Sequence, residues 1–481
     1  MAASSGGPIF LKSINSSGVV KGGEYIANLF IKSIEEVGAS NVVQVITDNA
    51  SNMKLVGSTV EQTYPHIFWT PCVVHSLNLA LKNMCQPSEK STQFINCKWI
   101  LDLIGEVSSL KNFVLNHDMA HALFQKHSAL SLLKVAEMRF ASHVVMASHV
   151  HQVKASLERM VMDDDWRNYK GDKVIEAKTR EIKSLVMNDE WWDKIEYFLK
   201  FTEPIVSMLR SADLDAPKLH LVYDMWDTMI EKVKAIIFEQ EGNDLIVGQS
   251  YFFYTIQEIL VVRWNKSNTL LHCMAHSLVP KYYHESWLKG EGNGVRRLAP
   301  NENREISLNR VKYFQRYFKD SNDLKQASLE YGVFASGSGF FSETHVVEAM
   351  MYEEPLSWWA NHSVNALLLQ SLAYKLLSQP ASSSCCERNW STYSLIHSIK
   401  RNKLETSRAE DLVFMYYNLC LFSRQKETYT SGPSKYWDVV YVNPFVIGKY
   451  QAVLIKLSPG AGAKARKESN PVKPSVWGSS L

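Results

Sequence analysis

The sequence predicts a mostly helical α/β protein in which a β-α-β unit near the amino terminus precedes a long helical body. Ile9–Leu11 starts a short strand and Val42–Ile46 is β-branched and strand-like, and Glu24–Val37 between them repeats apolar residues at helical spacing. From residue 137 to about residue 380, almost every informative segment repeats apolar residues at i, i+3 and i+4. Because the carboxyl ends of parallel strands collect site residues at one sheet edge, we expect Asp48 to lie at such an edge.

The composition is that of an ordinary globular protein. The chain has 481 residues, of which 46% are hydrophobic and 21% charged, and its length suggests two or three packed units. The net charge of +3 is too small to identify a nucleic-acid binder. No apolar run approaches the length of a membrane-spanning helix, and no signal peptide is evident. The 7 cysteines are scattered without a C-x-x-C spacing, so we expect an intracellular, reducing environment.

The remaining elements follow from the same apolar spacing. Further helices are predicted over Asn52–Tyr64, Val73–Met84, Ile100–Phe113, Trp191–Leu209, Lys218–Phe238, Gly248–Arg263 and Val364–Leu377. Trp69-Thr70-Pro71 is expected to connect the helices on either side of it. The tail from about Ser458 contains a basic cluster of Lys464, Arg466 and Lys467, which suits either a solvated tail or a segment for nuclear import or DNA contact.

Asp48 is the first candidate site residue, because it follows the strand at Val42–Ile46. A carboxylate held there can bind a divalent metal ion, as nucleases with two metals require. Asp48 or the neighbouring Asn49 would also suit the N-cap of the following helix. The residues leave both interpretations open.

Cys72 and His75 place a thiol and an imidazole about one helical turn apart, on the same side of a predicted helix. They could form half of a zinc site, or a nucleophile and its base, although the sequence shows neither a second ligand pair nor an orienting group. The alternative is a core cysteine with a hydrogen-bonded histidine.

Arg139 and Phe140 stand at the start of a helix that carries several histidines. A guanidinium beside an aromatic ring can hold a phosphate and stack on a base. The alternative is a surface arginine next to a packing residue.

Ser384 and Glu387 fit the S-x-x-E capping box, in which each side chain satisfies the backbone N–H of the other residue at a helix start. That pattern explains the spacing without any chemistry. Glu387 would become a metal ligand if the fold brought it close to Asp48.

Two strongly apolar helices flank this segment, and they suit either a core or a subunit interface. The first carries a stripe of Val364, Leu367, Leu368, Leu372 and Leu376. The second carries Leu412, Val413, Tyr416, Leu419 and Cys420. Trp358 and Trp359 just upstream favour an interface, because tryptophans often anchor such contacts.

Taken together, these segments resemble the plant hAT transposase-like family. The resemblance extends from about Pro8 to Leu421 and keeps the family order. The segments that carry it are Phe10–Ile14, Val43–Asn52, Phe68–His75, Arg139–Ala141, Thr202–Ile205, Arg263-Trp264, Pro355–Trp359 and Ser383–Ser391.

The resemblance implies an RNase H-like catalytic core that is interrupted by a large helical insertion and completed by a dimerisation region. On this basis, residues 1–145 are the first half of the core without its first strands, and residues 146–350 are the insertion. Residues 351–425 are the dimerisation region, and residues 426–481 are an extension with a basic tail.

The resemblance also implies roles for single residues. Three acids hold two metal ions, Mg or Mn, in the family; Asp48 matches the second acid and Glu387 the third. Accessory positions near the DNA ends match Cys72, His75, Arg139 and Phe140, the last of which stands where active relatives have tryptophan.

In relatives, the first acid lies in an Asp-Gly-Trp segment well before the one that matches Phe10–Ile14, and a zinc-binding DNA-recognition finger precedes it. Only Met1–Ile9 precede that segment here. We therefore expect a truncated chain that does not cut DNA by itself, that needs no cofactor, and that has an open sheet edge near Ile9–Ile14. The alternative is a metal-dependent transposase, if an upstream exon or a partner chain supplies the missing acid.

The resemblance therefore implies a nuclear protein that pairs with itself or with related hAT proteins, and DNA association is a second expected property. Neither a membrane nor a small-molecule substrate is expected. The residues expected at the dimer contact are Trp358, Trp359, Leu367, Leu368, Leu372, Leu376, Leu412, Tyr416 and Leu419.

Overall fold

The computed structural model describes residues 1–4, 7–14, 16, 18–132, 141–168, 173–290, 296–386, 405–423 and 451–454. In these ranges the chain forms a small mixed sheet and many helices, so the predicted mostly helical α/β class is confirmed. None of the helices in these ranges is both long and apolar enough to span a bilayer.

A 5-stranded sheet lies near the amino-terminal part of the chain, with the strand order β2-β1-β5-β3-β4. β1 pairs antiparallel with β2 and β5, whereas β3 pairs parallel with β5 and β4. The strands are β1 (Ala2–Ser4), β2 (Gly7–Ile9), β3 (Val42–Thr47), β4 (Phe68–Pro71) and β5 (Gln451–Leu454). The central strand therefore comes from the last described segment of the chain.

The helices follow the apolar spacing of the sequence, and each predicted helix coincides with an observed one whose ends are displaced by a few residues. In chain order they are α1 (Gly23–Val37), α2 (Ser51–Thr63), α3 (Val73–Cys85), α4 (Phe94–Asn116), α5 (Asp118–His127), α6 (Ser142–Gln152), α7 (Lys154–Met162), α8 (Asp164–Arg167), α9 (Lys173–Val186), α10 (Asp189–Ala212), α11 (Val222–Glu241), α12 (Tyr251–Ser267), α13 (Leu270–Ser277), α14 (Glu285–Leu288), α15 (Arg304–Tyr317), α16 (Ser321–Ala335), α17 (Thr344–Tyr352), α18 (Pro355–His362), α19 (Leu367–Leu376) and α20 (Thr406–Ser423).

The strand predictions were less accurate than the helix predictions. The strand predicted to start at Ile9 instead ends there, as β2. Trp69-Thr70-Pro71, predicted as a connection, belongs to β4. The edge expected near Ile9–Ile14 is found at β2, the outermost strand of the sheet, which pairs on one side with β1 and has α20 lying against it. Short strands depend on distant pairing partners, which local sequence patterns do not reveal.

All six positions of β3 are buried, because helices cover both faces of the sheet. Val42 and Val45 pack against α1 and α2, whereas Val43 and Ile46 face the helical body. This spacing departs from simple alternation, since the pairing with β5 shifts register between Val42 and Gln44. A bulge of this kind changes which face the following side chains occupy.

The helical body has two large apolar cores. One is built around α10, which packs along α11 and against α3 and α6. The other gathers α13, α15, α16 and the helices from α17 to α19. Residues from the sheet enter both cores, so the sheet and the helices share one interior.

Candidate functional site

Asp48 lies at the carboxyl end of β3, as the sequence predicts, and its side chain is half-buried. Its Oδ1 accepts a hydrogen bond from the backbone N–H of Ala50 at 3.3 Å. The N-cap of α2 is Ala50 itself, without a side-chain cap bond. The N-cap interpretation of Asp48 and Asn49 is therefore wrong, because the helix begins one residue after Ala50 and Asp48 stabilises only the turn before it.

The end of α12 contacts Asn49, the residue after Asp48, and the sequence did not predict this contact. Asn49 Nδ2 donates to the carbonyl oxygen of Lys266 at 3.0 Å. Arg263, one turn earlier on α12, is half-buried, and its Nε has no hydrogen-bond partner among the described residues. Burial lowers the pKa of the Arg263 guanidinium. Two cationic side chains thus lie on the helix that meets the carboxyl edge of the sheet.

Cys72 and His75 follow β4 at the same edge. The backbone N–H of Cys72 donates to the carbonyl oxygen of Thr47 at 2.7 Å, which joins the ends of β3 and β4. Cys72 is 1% exposed, and its Sγ accepts a hydrogen bond from the backbone N–H of Ser383 at 3.4 Å. His75 is half-buried, one turn into α3. The buried thiol lacks the access that a nucleophile needs.

The segment before Glu387 packs directly on the sheet. Gln44 Nε2, buried in β3, donates to Gln379 Oε1 at 3.2 Å and to the carbonyl oxygen of Pro380 at 2.9 Å. The backbone N–H of Val73 donates to the carbonyl oxygen of Ala381 at 3.2 Å. The segment Gln379–Ala381 therefore lies along the sheet near Asp48 and Cys72.

Three predicted site residues, Glu387, Arg139 and Phe140, lie outside the described residues. Of the two residues of the S-x-x-E capping box, Ser384 is described and Glu387 is not, so that prediction falls outside the described residues. Within the described ranges, no group of three His, Cys, Asp or Glu side chains lies close enough together to hold a metal ion.

Next to Arg139 and Phe140, Ala141 has a φ of 51°, in the left-handed region that non-glycine residues rarely adopt. Its backbone N–H donates to Asn78 Oδ1 at 2.9 Å, which holds this backbone against α3. A cavity of about 260 Å³ opens here, and Lys82 and His143 are among its lining residues. Burial and the nearby Lys82 lower the pKa of His143, so the imidazole is neutral at physiological pH.

The tryptophans predicted at a dimer contact are buried inside this chain. Trp358 and Trp359 are both 0% exposed. Their Nε1 atoms donate to the carbonyl oxygens of Val346 at 3.1 Å and Leu278 at 2.7 Å. Both indoles are therefore satisfied internally and hold α18 against α17 and the end of α13. Of the predicted α19 residues, Leu372 and Leu376 are buried, Leu368 is half-buried and Leu367 is exposed.

Helix α20 is different, because a row of its described side chains is apolar and exposed. Ala409 and Val413 are buried against the chain, and the ring of Phe414 meets Phe10 edge-on. Four large side chains spaced at i, i+3, i+4 and i+7 remain accessible to solvent. They are Leu412, Met415, Tyr416 and Leu419, with exposed fractions of 42%, 57%, 49% and 59%, and we call them the α20 stripe.

Three of the four stripe residues were predicted from the sequence, and Met415 was missed. The signal for Met415 is local, since it stands three residues after Leu412. The contact between Asn49 and the backbone of Lys266 had no such signal, because more than two hundred residues separate them along the chain.

Comparison with known families points to the same regions. Residues 338–419 match the hAT family C-terminal dimerisation region, a range that contains α17 to α19 and most of α20. Residues 1–110 match a domain of unknown function, DUF659. Together, the two matches support an hAT-type transposase-like family for this chain. No curated protein matches the sequence significantly.

Proposed function

We propose that this transposase-derived chain associates with a second copy of itself, or with a related hAT protein, through the α20 stripe. The observation that carries the proposal is that the stripe is exposed and lies within residues 338–419, which match the hAT dimerisation region. A stripe on one helix side suits a two-fold contact, in which the same patch meets its copy.

The energetic case rests on the size of these side chains. Fully burying a large apolar side chain contributes about 1.5–3 kcal/mol, and the four stripe residues, each about half exposed, can contribute part of that on each copy. Association also costs translational and rotational freedom, which is why a continuous stripe is more effective than scattered residues. In this proposal the buried Trp358, Trp359, Leu372 and Leu376 support the surrounding helices from within.

The test is light scattering of the full chain at micromolar concentration. The wild-type chain should have a dimer's mass, and the double variant Leu412→Asp/Leu419→Asp should have a monomer's mass with an unchanged circular dichroism spectrum. Ile95→Asp is the matched control, because Ile95 is an exposed apolar residue on α4. A wild-type chain that stays monomeric, and that does not bind related hAT chains, would contradict the proposal.

We propose DNA association as a second function, supported by the position of Arg263 and Lys266 at the carboxyl edge of the sheet. Lys266 is exposed and Arg263 is half-buried, so cationic side chains on this helix could meet a phosphate at the sheet edge. This is the contact that the resemblance leads us to expect from arginines of the helical insertion. The RNase H-like character of the sheet belongs to the same proposal, and Asp48 at the end of β3 supports it.

DNA association is tested by retention of duplex DNA at increasing salt concentration. Each lost phosphate contact should reduce the slope of log affinity against log salt by about 1, so Arg263→Gln/Lys266→Gln should flatten the dependence. Lys98→Gln is the control, since Lys98 pairs with Asp102 on the exposed side of α4. Retention that does not depend on salt, or no retention at all, would reject this second function.

We propose further that the chain alone does not cleave DNA. What supports this is that the Asp48 carboxylate is engaged by the backbone N–H of Ala50, in a local turn. Supercoiled plasmid incubated with the chain and Mg²⁺ or Mn²⁺ should stay intact. Nicking that disappears in Asp48→Asn would instead favour the metal-dependent transposase.

Nuclear localisation, which the resemblance implies, is also a proposal. The basic cluster Lys464, Arg466 and Lys467, outside the described residues, is the candidate import signal. A fluorescent fusion should enter the nucleus, and it should lose that enrichment when the three residues are changed to alanine.

A further inference from the structure

The turn between α11 and α12 presents large apolar side chains to solvent. Ile246 is 84% exposed, Val247 is 81% exposed, and Tyr251 at the start of α12 is 82% exposed. These fractions are among the highest for large apolar residues in the part of the chain that the structure describes. We call Ile246, Val247 and Tyr251 the turn patch. Contiguous exposed apolar residues on a folded protein commonly mark an interaction site.

Hydrogen bonds hold the turn patch in its exposed position. Asp244 Oδ1 accepts hydrogen bonds from the backbone N–H groups of Ile246 at 2.8 Å and Val247 at 3.0 Å. Lys234 Nζ donates to the carbonyl oxygen of Leu245 at 2.8 Å, which ties the turn to α11. Because the turn is already ordered, a partner would bind it without the entropic cost of ordering it.

A partly exposed aromatic cluster adjoins the turn patch in α12. The ring of Trp99 on α4 stacks on the ring of Tyr197 on α10, with 5.7 Å between the ring centres. The ring of Phe252 lies 5.7 Å from that of Trp99, and Phe252 directly follows Tyr251. We call Trp99, Tyr197 and Phe252 the aromatic cluster; all three side chains are partly exposed.

Acidic side chains border these apolar residues. Glu239, Glu241 and Asp244 are all exposed. The backbone N–H groups that donate to Asp244 lower the pKa of its carboxyl, so the group stays charged at physiological pH. Glu241 lies near the aromatic cluster, since burial and the Glu241 carboxylate together raise the pKa of Tyr197.

Two basic side chains near these acids are already engaged within the chain. Lys234 donates to the carbonyl oxygen of the turn, as described above. Lys200, which is close to Glu239, pairs with Glu196 at 2.8 Å. The border of the turn patch therefore keeps an excess of negative charge. A partner that matches it combines apolar side chains with positive charges around them.

We propose that the turn patch and the aromatic cluster form a docking surface for a helix of another protein, whose apolar face is bordered by lysines or arginines. An added strand would need free backbone groups to pair with, whereas a helix binds through its side chains alone. The surface consists of helix sides and an internally bonded turn, so it suits a helix. It is built from other helices than α20, and the inference does not depend on dimerisation.

A synthetic helix tests the proposal on the full-length chain. The probe is a fluorescent peptide of about 14 residues, or four helical turns, with leucines at i, i+3 and i+4 spacing and lysines elsewhere. Fluorescence anisotropy should show saturable binding of this lysine peptide. A glutamate peptide, with glutamate in place of every lysine, should bind at least about tenfold more weakly. Added salt should weaken binding of the lysine peptide, because salt screens exposed charges.

Two variants separate the apolar contribution from the charged one. Ile246→Ser/Val247→Ser removes both aliphatic side chains and should weaken binding of the lysine peptide about tenfold. Asp244→Asn keeps a side-chain oxygen that can accept the two backbone N–H groups, so it removes the charge and preserves the turn. Combined with Glu239→Gln, it should weaken binding of the lysine peptide and reduce its salt dependence.

The matched control is Leu329→Ser/Val333→Ser, which removes two exposed aliphatic side chains from α16. This control should bind the lysine peptide as tightly as the wild-type chain does. Every variant should keep the circular dichroism spectrum and the light-scattering mass of the wild-type chain, so that a loss of binding reflects the surface and not the fold.

The opposite results would overturn the proposal. These results are no binding of the lysine peptide, equal binding of the two peptides, or equal losses in the turn-patch variant and the α16 control. Phosphatidylcholine vesicles provide one more comparison. If the wild-type chain binds them, Ile246→Ser/Val247→Ser does not, and neither protein binds the lysine peptide, the turn patch contacts a lipid surface and the proposed helix is rejected.

Discussion

The ring of Phe414 lies 6.4 Å from the ring of Phe10, with an angle of 66° between the two planes. This edge-to-face contact joins α20 to the segment that follows β2. Phe10 is almost fully buried, whereas Phe414 is half exposed. The proposed dimerisation helix therefore contacts the segment next to the sheet directly.

We expect Phe10→Ala to destabilise the protein and to loosen α20. Replacing a buried phenylalanine with alanine removes apolar contacts and leaves a cavity, which costs about 3–5 kcal/mol. The unfolding midpoint in urea should fall, and hydrogen exchange should accelerate in α20. Phe414→Ala serves as the comparison, since its half-exposed ring should cost distinctly less. Equal losses for the two variants would mean that Phe10 is not a core residue.

Gln44 is expected to be essential for holding the segment before Glu387 on the sheet. Its side chain accepts a hydrogen bond from Thr70 Oγ1 at 2.8 Å and donates to Gln379 and Pro380. Gln44→Leu would leave these buried groups unsatisfied, at a cost of about 1–3 kcal/mol for each.

A double-mutant cycle isolates the contribution of that hydrogen-bond network. In Gln44→Leu the Thr70 hydroxyl loses its hydrogen-bond partner, and Thr70→Val removes that hydroxyl. The double variant Gln44→Leu/Thr70→Val should therefore lose less stability than the sum of the losses of the two single variants. Urea denaturation of the four proteins measures the coupling. Strict additivity would show that Gln44 and Thr70 do not interact.

Arg316 of α15 is expected to hold the helical body against β4. Its guanidinium donates to Glu61 Oε1 at 2.9 Å and to the carbonyl oxygens of Pro65 at 2.8 Å and Ile67 at 2.6 Å. It also lies 4.0 Å from the ring centre of Phe68. A lysine has one ammonium group and cannot reproduce this planar set of contacts.

Arg316→Lys should therefore destabilise the protein by about 2–3 kcal/mol and increase hydrogen exchange in β4. Arg304→Lys on the exposed surface of the same helix is the matched control, and it should have little effect. Unchanged exchange in β4 would show that the Arg316 contacts do not restrain this strand.

Three buried histidines predict that stability falls in mild acid. Burial lowers the pKa of His220 to about 3, that of His272 to about 4 and that of His276 to about 3. In the unfolded chain these histidines have the ordinary pKa of 6.5 and bind protons near that pH. In the folded chain they bind protons only at lower pH. Stability from these groups is thus fully present above pH 6.5 and is lost as the pH falls toward 3–4.

Thermal unfolding between pH 7.5 and pH 4.5 measures this dependence. Each histidine contributes at most about 1.4 kcal/mol per pH unit within the interval. His276→Phe should weaken the dependence, because the ring stacks 4.2 Å from Tyr282 and phenylalanine keeps that stacking without a titrating group. His345→Phe changes an exposed histidine and should leave the dependence unchanged.

The sequence alone determined the helices and the candidate residues at one edge of the sheet. Glu24–Val37 and Trp191–Leu209 were predictable because helical spacing is local and repeats over many residues. Asp48 was predictable as a strand-end carboxylate, because β3 is a short segment rich in β-branched residues that ends just before it. Leu412, Tyr416 and Leu419 were recognisable as an apolar face because they too repeat at helical spacing.

Only the tertiary structure decided which apolar residues are exposed and which strands are adjacent. Trp358 and Leu412 are both apolar in the sequence, yet Trp358 is buried and Leu412 is accessible, because burial depends on helices that are distant along the chain. The pairing of Ile46 with Leu454 depends on residues at opposite ends of the chain. Four residues of ordinary strand composition contain no signal for such a pairing, since the hydrogen bonds that select it form only when β1 and β3 lie on either side of β5.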